Sequence, residues 1–213
     1  MAFSSDNILS VPVRLAHEKL GLSPNQLSTI GFAVGIAAAI GVAAGHLKTG
    51  LGLLAISQII DGLDGGVARR YKLISSTGQL LEVVYDRLSE LSVFLALAYA
   101  GQVTWFIAIL AFVAILLVTA VEPLSKFDPG FKRFMIYFGY LATVLFNIHG
   151  FQLAMNVIFF ANLTGFVIGT IMVDYRLQDD IDRQAILRRE REVAAGIPQP
   201  PDDPPSFLSK LFS

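Results

Sequence analysis

Long apolar runs, separated by short polar stretches, follow one another through most of the chain. A helix needs about 20 mostly apolar residues, each adding about 1.5 Å, to cross about 30 Å of hydrocarbon. Six runs reach that length, some only with their polar ends included, at residues 25–45, 48–67, 78–100, 102–122, 132–150 and 152–173. The pattern predicts an all-α integral membrane protein with six transmembrane helices and short connections.

Both ends of the chain have a different pattern from the six runs. Apolar and charged positions alternate in residues 6–20, which predicts a short amphipathic helix. It would either lie in the headgroup plane or pack as a solvated helix on the cytoplasmic face. After the last run, "QDDIDRQAILRREREVAAG" predicts a soluble helix ended by Gly196, followed by a disordered Pro-rich stretch. The predicted division is a juxtamembrane helix at 1–22, a membrane domain at 23–173 and a cytoplasmic tail at 174–213.

Composition supports the membrane interpretation and excludes several kinds of site. The chain is 54% hydrophobic and only 15% charged, whereas a soluble domain has about 25% charged residues. The net charge of −1 gives no indication of a nucleic-acid partner. Because the chain has no Cys, disulfides, thiolate chemistry and Cys-ligated metals are excluded.

The basic residues predict how the chain is oriented. Fourteen of the sixteen Lys and Arg side chains fall in the segments that six spans would place on one side of the membrane. Lys48 alone falls on the other side, and Arg87 lies within the third span. Positive loops face the cytoplasm, so both termini are predicted to be cytoplasmic.

Small residues recur in the first run, where glycines are spaced by four in two pairs. Such spacing lets membrane helices approach closely. Packing within one subunit is favoured over a dimer contact. The glycines concerned are Gly31, Gly35, Gly41 and Gly45.

Charges are concentrated in residues 61–86, "DGLDGGVARRYKLISSTGQLLEVVYD". Asp61 and Asp64 are three residues apart and share a helix face, as do Glu82 and Asp86, four apart. The loop between the two runs turns the chain back, so both faces can meet near the cytoplasmic edge. Converging carboxylates repel one another in a low dielectric, and a hard ion such as Mg²⁺ or Mn²⁺ removes that penalty. Paired ions of this kind commonly serve phosphoryl-type displacement.

Residues near these acids suit a phosphate ligand. Gly65 and Gly78 allow a ligand to approach the backbone, Arg69 can reach a diphosphate, and Thr77 offers a hydroxyl. The alternative is that the acids pair with basic side chains and only anchor the topology. The candidate partners in that case are Arg69, Arg70 and Arg87. The complete set of acids at this spacing favours the metal site.

The string Asp61-x2-Asp64-Gly65-x2-Ala68-Arg69-x8-Gly78-x3-Glu82-x3-Asp86 closely resembles the signature of the CDP-alcohol phosphotransferase family. The six predicted spans and "SPNQLSTIGF" at the first of them are also similar to that family, so the resemblance covers about residues 5–173. It implies an enzyme that moves a phosphatidyl-type group from a CDP-linked lipid to the hydroxyl of an acceptor alcohol and releases CMP. It also implies a homodimer.

The resemblance assigns roles to individual residues. One or two ions, Mg²⁺ or Mn²⁺, would be held by Asp61, Asp64, Glu82 and Asp86. The general base on the acceptor hydroxyl would be Asp86. The predicted CDP-binding set is Asp64, Gly65, Ala68, Arg69, Thr77 and Gly78. A phosphorylated acceptor, glycerol phosphate or inositol phosphate, would bind Lys126, Lys132 and Arg133, although these three could simply satisfy the positive-inside rule.

Two acids depart from the family pattern. Glu82 stands where the family has Asp, and its longer side chain could displace or impair the metal site. A catalytically impaired relative that binds nucleotide-lipid or metal without turnover is therefore the main alternative. Glu90 is not part of the signature and is predicted either to pair with Arg87 or to make a polar contact with a helix. A transporter would need acids at mid-bilayer depth or in several spans, and is the least favoured interpretation.

Overall fold

The computed structural model describes residues 10–195, which contain helices and turns but no strand. Helix α1 (Ser10–Arg14) runs into a π-helical turn at Leu15–Lys19. Six helices follow at the positions of the six apolar runs. They are α2 (Pro24–Ala43), α3 (Leu47–Arg70), α4 (Ser76–Tyr99), α5 (Trp105–Ser125), α6 (Lys132–Phe146) and α7 (Gly150–Ala194).

Four of these helices, α2, α3, α5 and α7, are long and apolar enough to cross a membrane. Helix α4 has 24 residues but is interrupted by four charged side chains, Glu82, Asp86, Arg87 and Glu90. Helix α6 has 15 residues, about 22 Å at the usual rise. Within residues 10–195 the structure therefore has four candidate spans where the apolar runs predict six.

Serine caps begin two helices at the same end of the bundle. Ser23 and Gln26 form a reciprocal capping box, in which the Gln26 amide donates to the Ser23 Oγ at 3.3 Å. Pro24 occupies the first turn of α2, where its missing N–H costs nothing. Ser75 caps α4 by accepting a 3.0 Å hydrogen bond from the Gly78 amide. These two helix beginnings form one wall of the site described below.

Glycines bring α2 against its neighbours. A Cβ added at Gly35 would lie 3.1 Å from the Oγ atoms of both Ser57 and Ser89, and one at Gly41 would lie 3.4 Å from the Gly50 Cα. Packing within one subunit is thus confirmed for three of the four predicted glycines. They are Gly31, Gly35 and Gly41.

The amino-terminal segment packs on the end of α3. Val13 and Ala16 are buried with Leu27 and Val67, and a Cβ added at Gly66 would lie 2.7 Å from Val13 Cγ2. The predicted helix began at residue 6, and residues 6–9 lie outside the described part of the chain.

Helix α7 is longer than the predicted last span. Its 45 residues join the predicted span and the predicted tail helix without a break, since neither Gly nor Pro occurs between Thr170 and Ala194. The predicted cap at Gly196 lies outside the described residues. Helix α6 ends at Phe146, before the predicted boundary at residue 150, because Asn147 adopts a left-handed φ of 52°.

Candidate active site

A cavity of about 260 Å³, here called the open cavity, lies between the beginnings of α2 and α4 and the end of α3. Of the predicted site residues, those that line it are Asp64, Gly65, Ala68, Arg69, Gly78 and Glu82. Thr77 is exposed and lies outside this lining, whereas its neighbour Ser75 is part of it. The structure therefore brings five of the six predicted CDP-binding residues together, and Thr77 is the exception.

Asp64 is held in place by a residue of α2. The Ser28 hydroxyl donates to Asp64 Oδ2 at 2.5 Å, and the Asp64 side chain is 4% exposed. Ser28 and Asn25 both line the open cavity but were not predicted as site residues. Their signal in the sequence was the polar beginning of the first span, "SPNQLSTIGF".

Glycines shape the wall of the open cavity. A Cβ added at Gly78 would lie 3.0 Å from both Asn25 Oδ1 and Ser75 Oγ, so a side chain there would push these two oxygens back by a few tenths of an ångström. A Cβ at Gly65 would lie 3.2 Å from Arg69 Nη1. The Arg69 guanidinium thus rests over the backbone of its own helix. It makes no ion pair with any residue in 10–195.

A second, nearly filled compartment lies between α2, α3, α4 and α6, and we call it the closed compartment. Its space is about 20 Å³, room for about one water molecule. Arg133 enters it from α6 and bridges two predicted metal ligands. Its Nη1 lies 2.7 Å from Asp61 Oδ2, and its Nη2 donates to Asp86 Oδ1.

Glu90 and Arg87 complete the charges of the closed compartment. Arg87 Nη1 lies 2.7 Å from Glu90 Oε2, which confirms the predicted pairing. Glu90 is 6% exposed and also lies 3.9 Å from Arg133 Nε. Arg87 Nη2 lies 3.9 Å from Asp86 Oδ2, while Arg87 Nε is buried without a partner among residues 10–195. Buried charges are costly unless they are paired, and this cluster provides the pairing.

The four predicted metal ligands are therefore divided between the two spaces. Asp64 and Glu82 line the open cavity, and Asp61 and Asp86 line the closed compartment. Among residues 10–195 no three His, Cys, Asp or Glu side chains lie close enough together to hold a metal ion. The donor chemistry still fits a hard divalent cation, because both spaces offer carboxylates without His or Cys. Asp61 and Asp86 are also near enough to share one guanidinium.

The three predicted acceptor-binding residues lie in different surroundings. Lys126 is exposed and ends α5 with a left-handed φ of 59°. Lys132 is 5% exposed and pairs with Asp128 at 3.0 Å. Arg133 is the one that reaches the acids. The topology-anchoring alternative named Arg69, Arg70 and Arg87 as partners of the acids. Of these, Arg87 lies 3.9 Å from Asp86, and the shorter contacts to Asp61 and Asp86 come from Arg133 of α6.

The profile of the CDP-alcohol phosphatidyltransferase family matches residues 22–172, more than half of the chain. The chain belongs to this family. Membership confirms the resemblance found in the spaced acids. Together with four apolar helices of spanning length, it identifies an integral membrane protein.

Curated relatives of this family member include two archaetidylinositol phosphate synthases. The one from Pyrococcus horikoshii is 34% identical over 95 residues, which cover 44% of this chain and 50% of the relative. The one from Methanothermobacter thermautotrophicus is 38% identical over 84 residues, covering 39% and 43%. The chain thus spans about half the length of the curated relatives it matches.

The fold is also found in solved structures of phosphatidylinositol phosphate synthase from Mycobacterium tuberculosis. The complex with manganese and citrate has a TM-score of 0.65 at 16% identity, covering 76% of this chain and 87% of that one. The structure with CDP-DAG bound has a TM-score of 0.60 at 17% identity, covering 81% and 92%. At this identity the likeness shows a shared fold.

Proposed function

We propose that this chain transfers a substituted phosphoryl group from a CDP-linked lipid to the hydroxyl of an acceptor alcohol and releases CMP, in phospholipid synthesis. The observation that carries the proposal is the open cavity. It gathers residues of α3 and α4 that the family signature spaces along the sequence, and it has room for a ligand. The solved relative with CDP-DAG bound supports a CDP-linked lipid as the donor.

In the proposed complex the CDP part occupies the open cavity. Gly65 and Ala68 of α3 and Gly78 of α4 are small, so they leave room for the CDP part along both helices. Arg69 is free to bind the diphosphate. The oxygen of the acceptor forms a bond to the lipid-side phosphorus. The bond from that phosphorus to the bridging oxygen breaks, and CMP leaves with the electron pair. Holding the reactants in line supplies much of the rate enhancement in such reactions.

The Asp86 carboxylate would act as general base and take the proton of the acceptor hydroxyl. Asp61, Asp64, Glu82 and Asp86 would hold one or two Mg²⁺ or Mn²⁺ ions. Such ions, when bound, neutralise the diphosphate and stabilise the departing CMP. The manganese named for the solved relative supports this choice of cofactor.

The acceptor we propose is inositol phosphate, with glycerol phosphate as the next candidate. The names of two curated relatives and of the solved structures support an inositol phosphate. Arg133 would bind its phosphate once the acceptor enters, and Lys126 and Lys132 would contribute positive charge nearby. Lys132 would first have to leave Asp128.

The proposed topology has six spans, with α4 and α6 crossing alongside the four apolar helices. Both are helices in the predicted places, and α6 buries Lys132 and Ile136 in the protein. The distribution of basic residues supports termini and an active site on the cytoplasmic side. A homodimer remains part of the proposal.

The test is CMP release by the purified protein from CDP-archaeol or CDP-diacylglycerol, with Mg²⁺ or Mn²⁺. The acceptors to compare are inositol phosphate, glycerol phosphate, inositol and serine. We expect CMP in the presence of inositol phosphate and little without an acceptor. Absence of CMP with every acceptor and both lipids would contradict the proposal.

A catalytically impaired relative is the second candidate, and Glu82 is the observation that favours it. Glu82 is exposed to the open cavity and makes no ion pair among residues 10–195. The Glu82→Asp variant restores the family residue. If the wild type releases no CMP and the variant does, the impaired relative is the correct description. If both release CMP, the longer side chain is compatible with turnover.

A further inference from the structure

Arg133 is paired with the two carboxylates that a divalent cation would need as ligands. Its guanidinium contacts Asp61 at 2.7 Å and also donates to Asp86. The surrounding space of about 20 Å³ leaves room for about one water molecule. A divalent ion on the same oxygens would lie within a few ångströms of the guanidinium, and like charges repel strongly at that distance.

We propose that Arg133 and a divalent cation compete for Asp61 and Asp86. Without the ion, Arg133 holds the two carboxylates together and neutralises them. When the ion binds, the guanidinium is displaced. This inference rests on the proposed function, because it assumes that these acids are metal ligands.

Glu90 provides a second partner for the displaced guanidinium. It lies 3.9 Å from Arg133 Nε and is itself held by Arg87 at 2.7 Å. Arg133 can therefore keep one buried acidic partner while its two Nη groups move away from Asp61 and Asp86. Those Nη groups then become available to an anionic acceptor.

The competition couples binding of the cation to binding of the anionic acceptor. An anion that binds the Arg133 guanidinium draws it away from Asp61 and Asp86, so the cation binds more tightly. Thermodynamic linkage requires that the cation strengthen anion binding by the same factor. A role for Arg133 in acceptor contact alone predicts no such coupling in the absence of CDP-lipid.

The test is Mn²⁺ binding to the purified full chain in detergent without CDP-lipid, with free Mn²⁺ measured by electron paramagnetic resonance. Arg133→Gln removes the competing charge, so we expect its Kd for Mn²⁺ to fall about 10-fold, within the usual range of coupling. Arg70→Gln is the matched control, because Arg70 is exposed and makes no ion pair within residues 10–195. Its Kd should change less than about 2-fold, as for a screened surface charge.

Two further measurements separate competition from misfolding. Without Mn²⁺, Arg133→Gln leaves Asp61 and Asp86 uncompensated and should lower the Tm. Mn²⁺ should then raise the Tm of the variant more than that of the wild type. Inositol phosphate, added at a concentration that saturates each protein, should tighten Mn²⁺ binding to the wild type but not to Arg133→Gln. At saturation, any direct contact between Mn²⁺ and the phosphate would appear equally in both.

The outcomes distinguish this inference from the proposed function. If the wild type binds Mn²⁺ and Arg133→Gln binds it equally or more weakly, the competition is overturned and the proposed metal site stands. If neither protein binds Mn²⁺, the metal site itself is refuted. Tighter binding by Arg133→Gln, together with the loss of coupling to inositol phosphate, supports the competition.

Discussion

The two halves of the candidate site differ in how far their charges are paired. In the open cavity, Arg69 and Glu82 make no ion pair within residues 10–195, and about 260 Å³ is free. In the closed compartment, Asp61, Asp86 and Glu90 all face a guanidinium, and about 20 Å³ remains. The open half can therefore receive a charged ligand as it stands. The closed half must first exchange one cation for another.

The difference follows from how deeply each half is buried within the protein. Glu82 and Arg69 are exposed, so water solvates their charges without a protein partner. Glu90 is 6% exposed, and an unpaired charge there would be strongly destabilising. Pairing in the closed compartment therefore stabilises the fold, whereas the open cavity can leave its charges available for binding.

The largest effect should come from Asp86→Asn, which tests whether the chemistry depends on the closed half. We expect CMP release to fall about 1,000-fold, in the range for loss of a general base. Asp179→Asn, on the exposed part of α7, is the control and should keep its activity. If Asp86→Asn retained a tenth of the activity or more, the closed compartment would be structural and the open cavity would contain the whole site.

Much of this arrangement could be predicted from the sequence, and the reason is local. The residues of the open cavity come from the end of α3, the beginning of α4 and the capped beginning of α2, where helix periodicity alone determines which side chains share a face. The closed compartment depends on Arg133, which is 72 residues from Asp61 and 47 from Asp86. Nothing local indicates which basic residue returns to the acids. The sequence instead predicts Arg133 as a ligand of the acceptor.

Helix α7 shows a second limit of prediction from the sequence, since one continuous helix stands where the hydropathy pattern predicts two elements. The change from apolar to charged residues near Asp174 indicates where the chain leaves the apolar region, but it does not interrupt the backbone. Helix continuity depends on backbone hydrogen bonds, which a change from apolar to charged side chains does not break, so one helix can extend through two environments. A boundary of hydropathy is therefore a poor predictor of a boundary of structure.

Gly78→Ala tests the shape of the open half. The added Cβ would lie 3.0 Å from Asn25 Oδ1 and Ser75 Oγ, so these two oxygens must move by a few tenths of an ångström. We expect the KM for CDP-lipid to rise about 10-fold, which corresponds to about 1.4 kcal/mol. Gly62→Ala is the matched control, since nothing lies within 4 Å of its added Cβ. It should leave KM unchanged and stabilise α3 slightly. An equal KM in both variants would show that the CDP part binds elsewhere.

Ser28→Ala tests the contact between the two halves, because Ser28 lines both spaces. Its hydroxyl donates to Asp64 at 2.5 Å, and losing a hydrogen bond to a charged group costs about 1.5–3 kcal/mol when the group stays buried. Water from the open cavity can replace part of it, so we expect kcat/KM to fall about 5-fold. Ser92→Ala, which removes an exposed hydroxyl bonded within α4, should have no effect. An unchanged kcat/KM in Ser28→Ala would mean that Asp64 needs no positioning by α2.

The smallest effect distinguishes two neighbouring hydroxyls at the rim of the open cavity. Ser75 lines the cavity and caps α4 through the Gly78 amide, while Thr77 lies outside the lining. Ser75→Ala should cost about 1 kcal/mol of stability, as for other helix caps, and raise the KM for CDP-lipid about 2-fold because the beginning of α4 loosens. Thr77→Ala should leave both quantities unchanged, as measured by thermal unfolding and CMP release. If Thr77→Ala raised KM and Ser75→Ala did not, Thr77 would turn into the cavity on binding. The open half would then also rearrange on binding. The two halves would differ only in how much they rearrange.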